Sequence, residues 1–239
     1  MQAALDAGYT VLNYDRLCNG LSDKPDAYAS GHGLTELEIL RVLTEIVREG
    51  WLNAHLHAGS SLRHTKAFDE VIDVGHSFGS QLATAMLTSY GHLSSGALIT
   101  GFLFTTVPST TSAGQLGFEY AASNNPALYG NRGSEYIVSA DTSNFQHNFF
   151  HQYNDTDLLG FTNEALTYAE GIKSPMTVGE WLSLRGLLNI GPAPAFKGPI
   201  QFFSAEFDVL VCGGNCTDNY DLDILEAIYS GSPAPGVQI

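Results

Sequence analysis

Positive charge is scarce in this sequence of 239 residues, which has 10 Lys and Arg against 25 Asp and Glu and a net charge of −15 with neutral histidines. An acidic chain repels the phosphate backbone, so we expect no nucleic-acid partner. Long apolar runs are also absent: the longest, near Ala97–Phe104, is far shorter than the roughly 18 residues that span a bilayer. We therefore expect no membrane span. The apolar share of 44% excludes a disordered chain.

Cysteine is rare too, with only 3 in the sequence. Cys212 and Cys216 enclose a Gly-Gly-Asn turn, a spacing that predicts a small-loop disulfide in an oxidising compartment. Two free thiols, or half of a metal site, are the alternatives. No second Cys/His cluster has a matching spacing, so we expect neither a metal nor a cofactor. Cys18 is left without a partner and is expected to be buried.

The beginning of the sequence lacks a signal peptide, because it has neither a basic segment nor an apolar one. Two N-glycosylation sequons nevertheless occur, at Asn154 and Asn215. Together with the expected disulfide they favour a secreted protein. We therefore expect the natural N-terminus to lie upstream of Met1.

The first part of the chain alternates between strand and helix patterns. A β-branched and aromatic run predicts a strand over Tyr9–Tyr14, and Thr35-Glu36-Leu37-Glu38 predicts a capping box that opens a helix through Arg48. Further along, the pattern predicts two strands and the helix between them: Glu70–Val74, Gly79–Tyr90 and Ala97–Phe104. This alternation indicates an α/β fold with a parallel sheet covered by helices.

After Thr106 the sequence becomes rich in Ser, Asn, Gly and aromatic residues, with short helical patterns over Leu158–Glu170 and Val178–Leu188. A strand pattern returns at Pro199–Ser204, and Asp221–Tyr229 has the pattern of a last helix. We therefore divide the chain into a core of residues 1–105 and 198–239 and a mostly helical cap of residues 106–197.

The strand over Glu70–Val74 leads directly into Gly75-His76-Ser77-Phe78-Gly79, and a helix follows. This is the G-x-S-x-G pattern in a strand–turn–helix setting, which predicts that Ser77 is a nucleophile. A turn this sharp requires small neighbours, so Gly75 and Gly79 are expected to be needed for steric reasons. The backbone N–H of Phe78 would then be one donor of an oxyanion hole.

Several segments together resemble a group of secreted fungal α/β-hydrolase-fold proteins. The segments are DRLCNGLSDKP at 15–25, VGHSFGSQLATA at 74–85, LITGF at 98–102, TVGEWL at 177–182 and EFDVLVCGGNC at 206–216. The likeness covers almost the whole chain and implies an α/β-hydrolase fold with a cap inserted after the third strand of this chain. It also implies serine-hydrolase activity. Cys18 departs from the family pattern, which usually has glycine at that position.

In that family the catalytic acid follows the strand after the cap, which assigns it to Asp208, with Glu206 as the rival carboxylate. The elbow-type order Ser…Asp…His requires a histidine after the acid, but no histidine follows Asp208. The 8 histidines all precede it: His32, His55, His57, His64, His76, His92, His147 and His151. His76 is expected to point away from the place of a general base. His147 and His151 are spaced like metal ligands, but no third ligand accompanies them.

The loop that carries the second oxyanion donor in the family would also precede Met1. Both gaps have one explanation, a chain truncated at each end, with its first strands and its last strand and helix missing. On this hypothesis the protein is an esterase for small or medium apolar esters, since aromatic residues could line an apolar pocket: Phe145, Phe149, Phe150 and Tyr153. The alternatives are a catalytically inactive binding protein of the same fold and a fragment that does not fold.

Overall fold

Parallel strands form the central sheet in the computed structural model, which describes residues 1–52, 67–104, 116–150, 160–187, 191–217 and 220–239. In chain order the strands of these residues are β1 (Ile72–His76), β2 (Gly96–Thr100), β3 (Phe118–Tyr120), β4 (Tyr136–Ser139), β5 (Met176–Thr177), β6 (Ile200–Phe203) and β7 (Gly236–Gln238).

Helices of very different length lie between these strands. In chain order they are α1 (Gln2–Asp6), α2 (Ala27–Ser30), α3 (Gly33–Glu49), α4 (Phe78–Tyr90), α5 (Ala121–Asn124), α6 (Pro126–Tyr129), α7 (Thr142–Phe149), α8 (Asn163–Ile172), α9 (Val178–Leu187), α10 (Val209–Cys212) and α11 (Leu222–Ile228). A 3₁₀ turn, Gly91–Leu93, follows α4. No helix of the described ranges is both long and apolar enough to cross a bilayer.

The central sheet has the strand order β1-β2-β6-β7, and every pair in it is parallel. Its register places Val74 beside Leu98, and Phe202 beside both Ile99 and Val237. Because the strands are parallel, their carboxyl ends meet at one edge of the sheet, where open α/β sheets bind ligands. Ser77 follows β1 at this edge, and Asp208 lies shortly after β6.

The main hydrophobic core joins β2 and β6 to the helices α4 and α11. Ile99, Phe202 and Leu225 are fully buried in it, and the Phe202 ring lies 6.2 Å from the ring of Tyr229. The small side chains of Ala83 and Ala97 also belong to this cluster, and they allow α4 to pack closely on the sheet. The core therefore holds α4, the helix that follows Ser77, against β2 and β6 of the sheet.

The segment between β2 and β6, which we call the cap, carries helices α5 to α9. It also contains a small antiparallel sheet, β3-β4-β5, that the sequence pattern did not predict. The last cap helix, α9, packs against α2, α3 and α4 of the core.

Two predictions about the start of the chain are wrong. Tyr9–Tyr14 is not a strand, because β1 pairs only with β2 and no described strand lies beside the segment to bond with it. Tyr9 and Leu12 remain exposed. The capping box expected at Thr35 is absent as well: α3 begins at Gly33, whose N–H donates to Ser183 Oγ of α9 at 2.7 Å.

Candidate active site

Ser77 occupies the turn between β1 and α4 with a left-handed φ of 51° and a ψ of −115°. Within the described ranges, Cys18 is the only other non-glycine residue with positive φ. Such conformations store strain and persist only where the surroundings hold them. Here the Ser77 N–H donates to Thr100 O at 2.9 Å, and Ser77 O accepts from the N–H of Ser80 at 2.9 Å.

The turn is closed so tightly that a side chain at position 75 has no room. A Cβ on Gly75 would lie 2.5 Å from Gly79 O and 2.6 Å from Ser80 Cα. At Gly79, by contrast, no atom of the described residues would lie within 4 Å of a Cβ. The steric requirement predicted for both glycines is thus present at Gly75, while Gly79 has open space.

Thr100, at the end of β2, holds the turn from the neighbouring strand. Ser80 is fully buried, and its hydroxyl donates to Thr100 O at 2.8 Å and accepts from Thr100 N at 3.1 Å. The Thr100 hydroxyl in turn donates to Gly75 O at 2.9 Å. The sequence did not identify Thr100, because its contacts cross between strands and leave no local pattern.

The same hydroxyl orients His76, whose Nδ1 lies 2.9 Å from Thr100 Oγ1. Since the Thr100 proton is directed at Gly75 O, Nδ1 donates to Thr100 Oγ1 and the neutral ring carries its lone pair on Nε2. The exposed ring lies against Gly101, where a Cβ would approach His76 Cε1 to 2.8 Å. His76 borders the same cavity as Ser77.

Asp208 follows β6 and begins the short helix α10, with its Oδ1 accepting from Val211 N at 2.8 Å. Cys212 and Cys216 are joined by a disulfide, as their spacing predicts. The bridged loop binds back to this segment, because Cys212 N donates to Asp208 O and Cys216 N donates to Glu206 O. The disulfide therefore braces the half-buried Asp208, whereas Glu206 is exposed.

A cavity of about 610 Å³ connects these groups at the carboxyl edge of the sheet. Its lining includes Ser77, His76, Asp208 and Glu206 together with apolar side chains, among them Phe149, Phe150, Phe161, Phe207, Leu210 and Val211. The Phe150 ring meets the Phe161 ring at 5.2 Å, and Phe145 packs behind Phe149 at 4.9 Å. No Lys or Arg lines the cavity in the part of the chain that is described.

The remaining predicted residues are distributed as follows. Phe78 is the first residue of α4, so its N–H is one of the first-turn donors that have no partner inside the helix. His147 is exposed on α7, and the sequon residue Asn215 is exposed in the disulfide loop. The predicted residues His151, Tyr153 and Asn154 lie outside the described residues.

Across the described ranges, no three His, Cys, Asp or Glu side chains are grouped as metal ligands would be.

Behind the turn lies a buried charged cluster that sequence analysis missed. Arg16 forms an ion pair with Glu180 of α9, and its Cζ lies 4.5 Å from the centroid of the Phe78 ring. Glu36 and Glu180 are both fully buried. Neither Glu36 oxygen has a hydrogen-bond partner among the described residues. Desolvation by burial, together with the charge of Glu180, raises the pKa of Glu36 to about 7, against the opposing charge of Arg16.

Glu36→Gln is expected to stabilise the protein at pH 8 by about 3 kcal/mol, the free energy that corresponds to a carboxyl pKa raised from 4.5 to about 7. In the folded state Glu36 must ionise without a partner, so the stability of the wild type falls as pH rises from about 4.5 to about 7. Urea unfolding at pH 4.5 and pH 8 measures the difference. Glu38→Gln, which changes an exposed carboxylate on the same helix, is the control and is expected to give no gain. An equal Glu36→Gln effect at both pH values would contradict this account of the cluster.

No family model matches the chain, and no curated protein matches it in sequence. Solved structures do match. A tomato methylketone synthase I variant complexed with β-ketoheptanoate has a TM-score of 0.54 at 15% identity, covering 99% of this chain and 79% of that one. An Arabidopsis methylesterase has a TM-score of 0.53 at 16% identity, covering 99% and 79%. Polyneuridine aldehyde esterase has a TM-score of 0.53 at 12% identity, covering 99% and 82%. With the parallel sheet and its helices, these matches establish the α/β-hydrolase fold.

Proposed function

We propose that the protein is a serine hydrolase that cleaves small or medium apolar esters through an acyl-enzyme on Ser77. The observation that carries the proposal is the conformation of Ser77, a strained non-glycine residue held between a strand and a helix N-terminus and opening into a cavity. Strained backbone of this kind concentrates at functional sites. A nucleophile elbow accounts for both the strain and the clash at Gly75.

The proposed reaction follows from the groups around the cavity. The Ser77 hydroxyl attacks the ester carbonyl carbon and transfers its proton to a general base, and the carbonyl oxygen becomes an oxyanion. The Phe78 N–H and the positive end of the α4 dipole stabilise that charge. The alcohol leaves with the proton, and water then hydrolyses the acyl-enzyme by the same sequence of steps.

Asp208 is proposed as the acid that orients the base. Its Oδ1 caps α10, but a carboxylate accepts several hydrogen bonds, so it can also hold an imidazole. No histidine follows Asp208 in the sequence. The carboxyl end of β7 lies at the same sheet edge, since Ser204 N donates to Gln238 O at 3.0 Å. We propose that a histidine carried beyond Ile239 is the base.

The lining of the cavity favours uncharged substrates. Phenylalanine and aliphatic side chains supply apolar contacts, whereas the ionisable side chains of its lining, in the part of the chain that is described, are the carboxylates of Glu206 and Asp208 and the imidazole of His76. An ester with a free carboxylate would be repelled by these acids. The names of two similar structures, a methylesterase and polyneuridine aldehyde esterase, agree with ester substrates.

A second candidate is an inactive binding protein of the same fold, which the lack of a histidine after Asp208 favours. An alkyl fluorophosphonate probe distinguishes the two, since it modifies only an activated serine. We expect the probe to label a form extended past Ile239 by its natural sequence. His76→Gln in the extended form is the control and is expected to label equally. Failure of the extended form to react would support the binding protein instead.

We also propose that the protein is secreted. The Cys212–Cys216 disulfide requires an oxidising environment, and exposure of Asn215 is compatible with glycosylation there. Mass spectrometry of the natively produced protein tests this through a glycan on Asn215.

A further inference from the structure

The loop that carries Arg16 is closed on itself, and this fixes the direction of the Arg16 side chain. The Asp15 carboxylate accepts from Leu21 N at 2.8 Å, and the Ser22 hydroxyl donates to Asp15 O at 2.6 Å. Gly20, with φ of +47°, has no room for a Cβ, because one would overlap the Asp15 carboxylate. Arg16 therefore projects from a rigid base rather than from a free loop.

Arg16 contacts the cap at the N-terminus of α9, where Thr177 and Glu180 form a capping box. Thr177 Oγ1 accepts from Glu180 N at 2.9 Å, and the Glu180 Oε2 accepts from Thr177 N at 2.7 Å. The other oxygen of Glu180 accepts from Arg16 Nη1. Glu180 is fully buried, so removal of its counterion would leave a charge without compensation. The ion pair thus fastens the cap helix to the core loop.

The same guanidinium lies over the ring of Phe78, with its Cζ 4.5 Å from the ring centroid. Phe78 also packs against the buried cluster that contains Leu82 and Leu187. Its ring is therefore held between a cation on one side and apolar side chains of α4 and α9 on the other. The backbone of this residue follows Ser77 directly and carries the proposed oxyanion donor.

We propose that Arg16 is a positioning residue that couples the docking of cap helix α9 to the geometry of the Ser77–Phe78 turn. One guanidinium makes both contacts, so a displacement of Glu180 moves the cation against Phe78. The inference rests on the proposed function for its catalytic meaning, but the mechanical coupling stands on the contacts alone. Lysine would keep the positive charge but lacks the planar guanidinium that lies over the Phe78 ring, so it is not an equivalent replacement.

Arg41, on α3, offers a control that contacts the same helix α4. It pairs with Glu38 and Glu45, and its Cζ lies 5.6 Å from the ring centroid of Tyr90. The chemistry is the same, but Tyr90 is at the opposite end of α4 from Ser77. Arg41→Met therefore removes a similar cation–aromatic contact without touching the turn.

Hydrogen exchange read by mass spectrometry tests the coupling without requiring turnover. In Arg16→Met, the amides of residues 77–82 are expected to exchange about tenfold faster than in the wild type. Arg41→Met is expected to leave them unchanged. Glu180→Gln is expected to accelerate exchange of the same amides, because the cap acts on the turn through the ion pair of Glu180 with Arg16. Unchanged exchange in Arg16→Met, or an equal rise across the whole chain, would overturn the proposal.

A double-mutant cycle separates positioning from general support. Phe78→Leu keeps the backbone N–H and removes the ring, so Arg16→Met is expected to add little further exchange in that background. Additive effects would overturn the proposal. In the extended, active form, Arg16→Met should lower kcat about tenfold with KM unchanged, because the oxyanion donor acts in the transition state. If exchange changes as expected while the wild type never hydrolyses esters, the proposed function fails and the coupling remains.

Discussion

In the form proposed above, extended past Ile239 by its natural sequence, ester hydrolysis is expected to fall by about 10³-fold or more when Ser77 is replaced by alanine, because the nucleophile is lost while the cavity remains. A chain-length series of p-nitrophenyl esters provides the assay. Ser134→Ala is the control, since the Ser134 hydroxyl meets Tyr28 Oη at 3.1 Å on the surface and does not line the cavity. Equal rates of ester hydrolysis for the wild type and Ser77→Ala would show that Ser77 is not the nucleophile.

The same assay decides between the two carboxylates. Asp208→Asn is expected to lower kcat by about 10²-fold or more, because an amide favours the wrong tautomer of the imidazole and cannot stabilise its positive charge. Asparagine is as good an N-cap as aspartate, so α10 and the stability of the protein should be retained. Glu206→Gln is expected to keep near wild-type activity. The reverse result would transfer the acid role to Glu206.

Gly75→Ala is expected to destabilise the protein by about 3 kcal/mol and to abolish probe labelling. The added methyl would meet Gly79 O and Ser80 Cα at 2.5 and 2.6 Å, and these backbone atoms cannot move without opening the turn, an overpacking cost of this order. Thermal or urea unfolding measures the first effect, and fluorophosphonate labelling of the extended form measures the second.

Gly79→Ala is the matched control, four residues away in the same motif. Its Cβ would enter open space among the described residues, and alanine favours helix over glycine by up to about 1 kcal/mol. We therefore expect unchanged or slightly raised stability and retained labelling. Equal damage from both substitutions would contradict the geometry assigned to the turn.

The central part of the fold was predictable because its patterns are local. The apolar run before Gly75, the helix through Tyr90 and the strands near Ala97 and Pro199 each follow from residue types within a few positions, and the structure places their ends within four residues of the predicted ones. Tyr9–Tyr14 has an equally good strand pattern, but a strand also requires a neighbour to pair with. That neighbour is a tertiary property, which no local pattern contains.

The two capping motifs illustrate the same limit. Thr35–Glu38 and Thr177–Glu180 have the same Thr-x-x-Glu pattern, yet only the second forms the reciprocal hydrogen bonds. At the first, a serine of α9 accepts from Gly33 N, and the helix begins three residues earlier than a capping box at Thr35 would start it. The Thr-x-x-Glu pattern permits a capping box, and the packing of α9 against α3 determines that the box does not form at Thr35.

The candidate site was predictable where a motif specifies it and hidden where contacts join distant segments. The five-residue motif over Gly75–Gly79 predicts Ser77 as the candidate nucleophile, and the spacing of Cys212 and Cys216 predicts the disulfide. The ion pair between Arg16 and Glu180 joins residues 164 positions apart. Thr100 likewise acts across the sheet on Gly75 and His76. The short strand β7, only three residues with a leading glycine, offers too little pattern to detect.

Location of the covalent adduct of a serine-reactive probe decides whether Ser77 is an activated nucleophile. The extended form is treated with an alkyl fluorophosphonate, digested, and sequenced by tandem mass spectrometry. We expect one adduct, on Ser77, that is absent from Ser77→Ala and present in Ser134→Ala. An adduct on another residue, or none on the folded extended form, would contradict it.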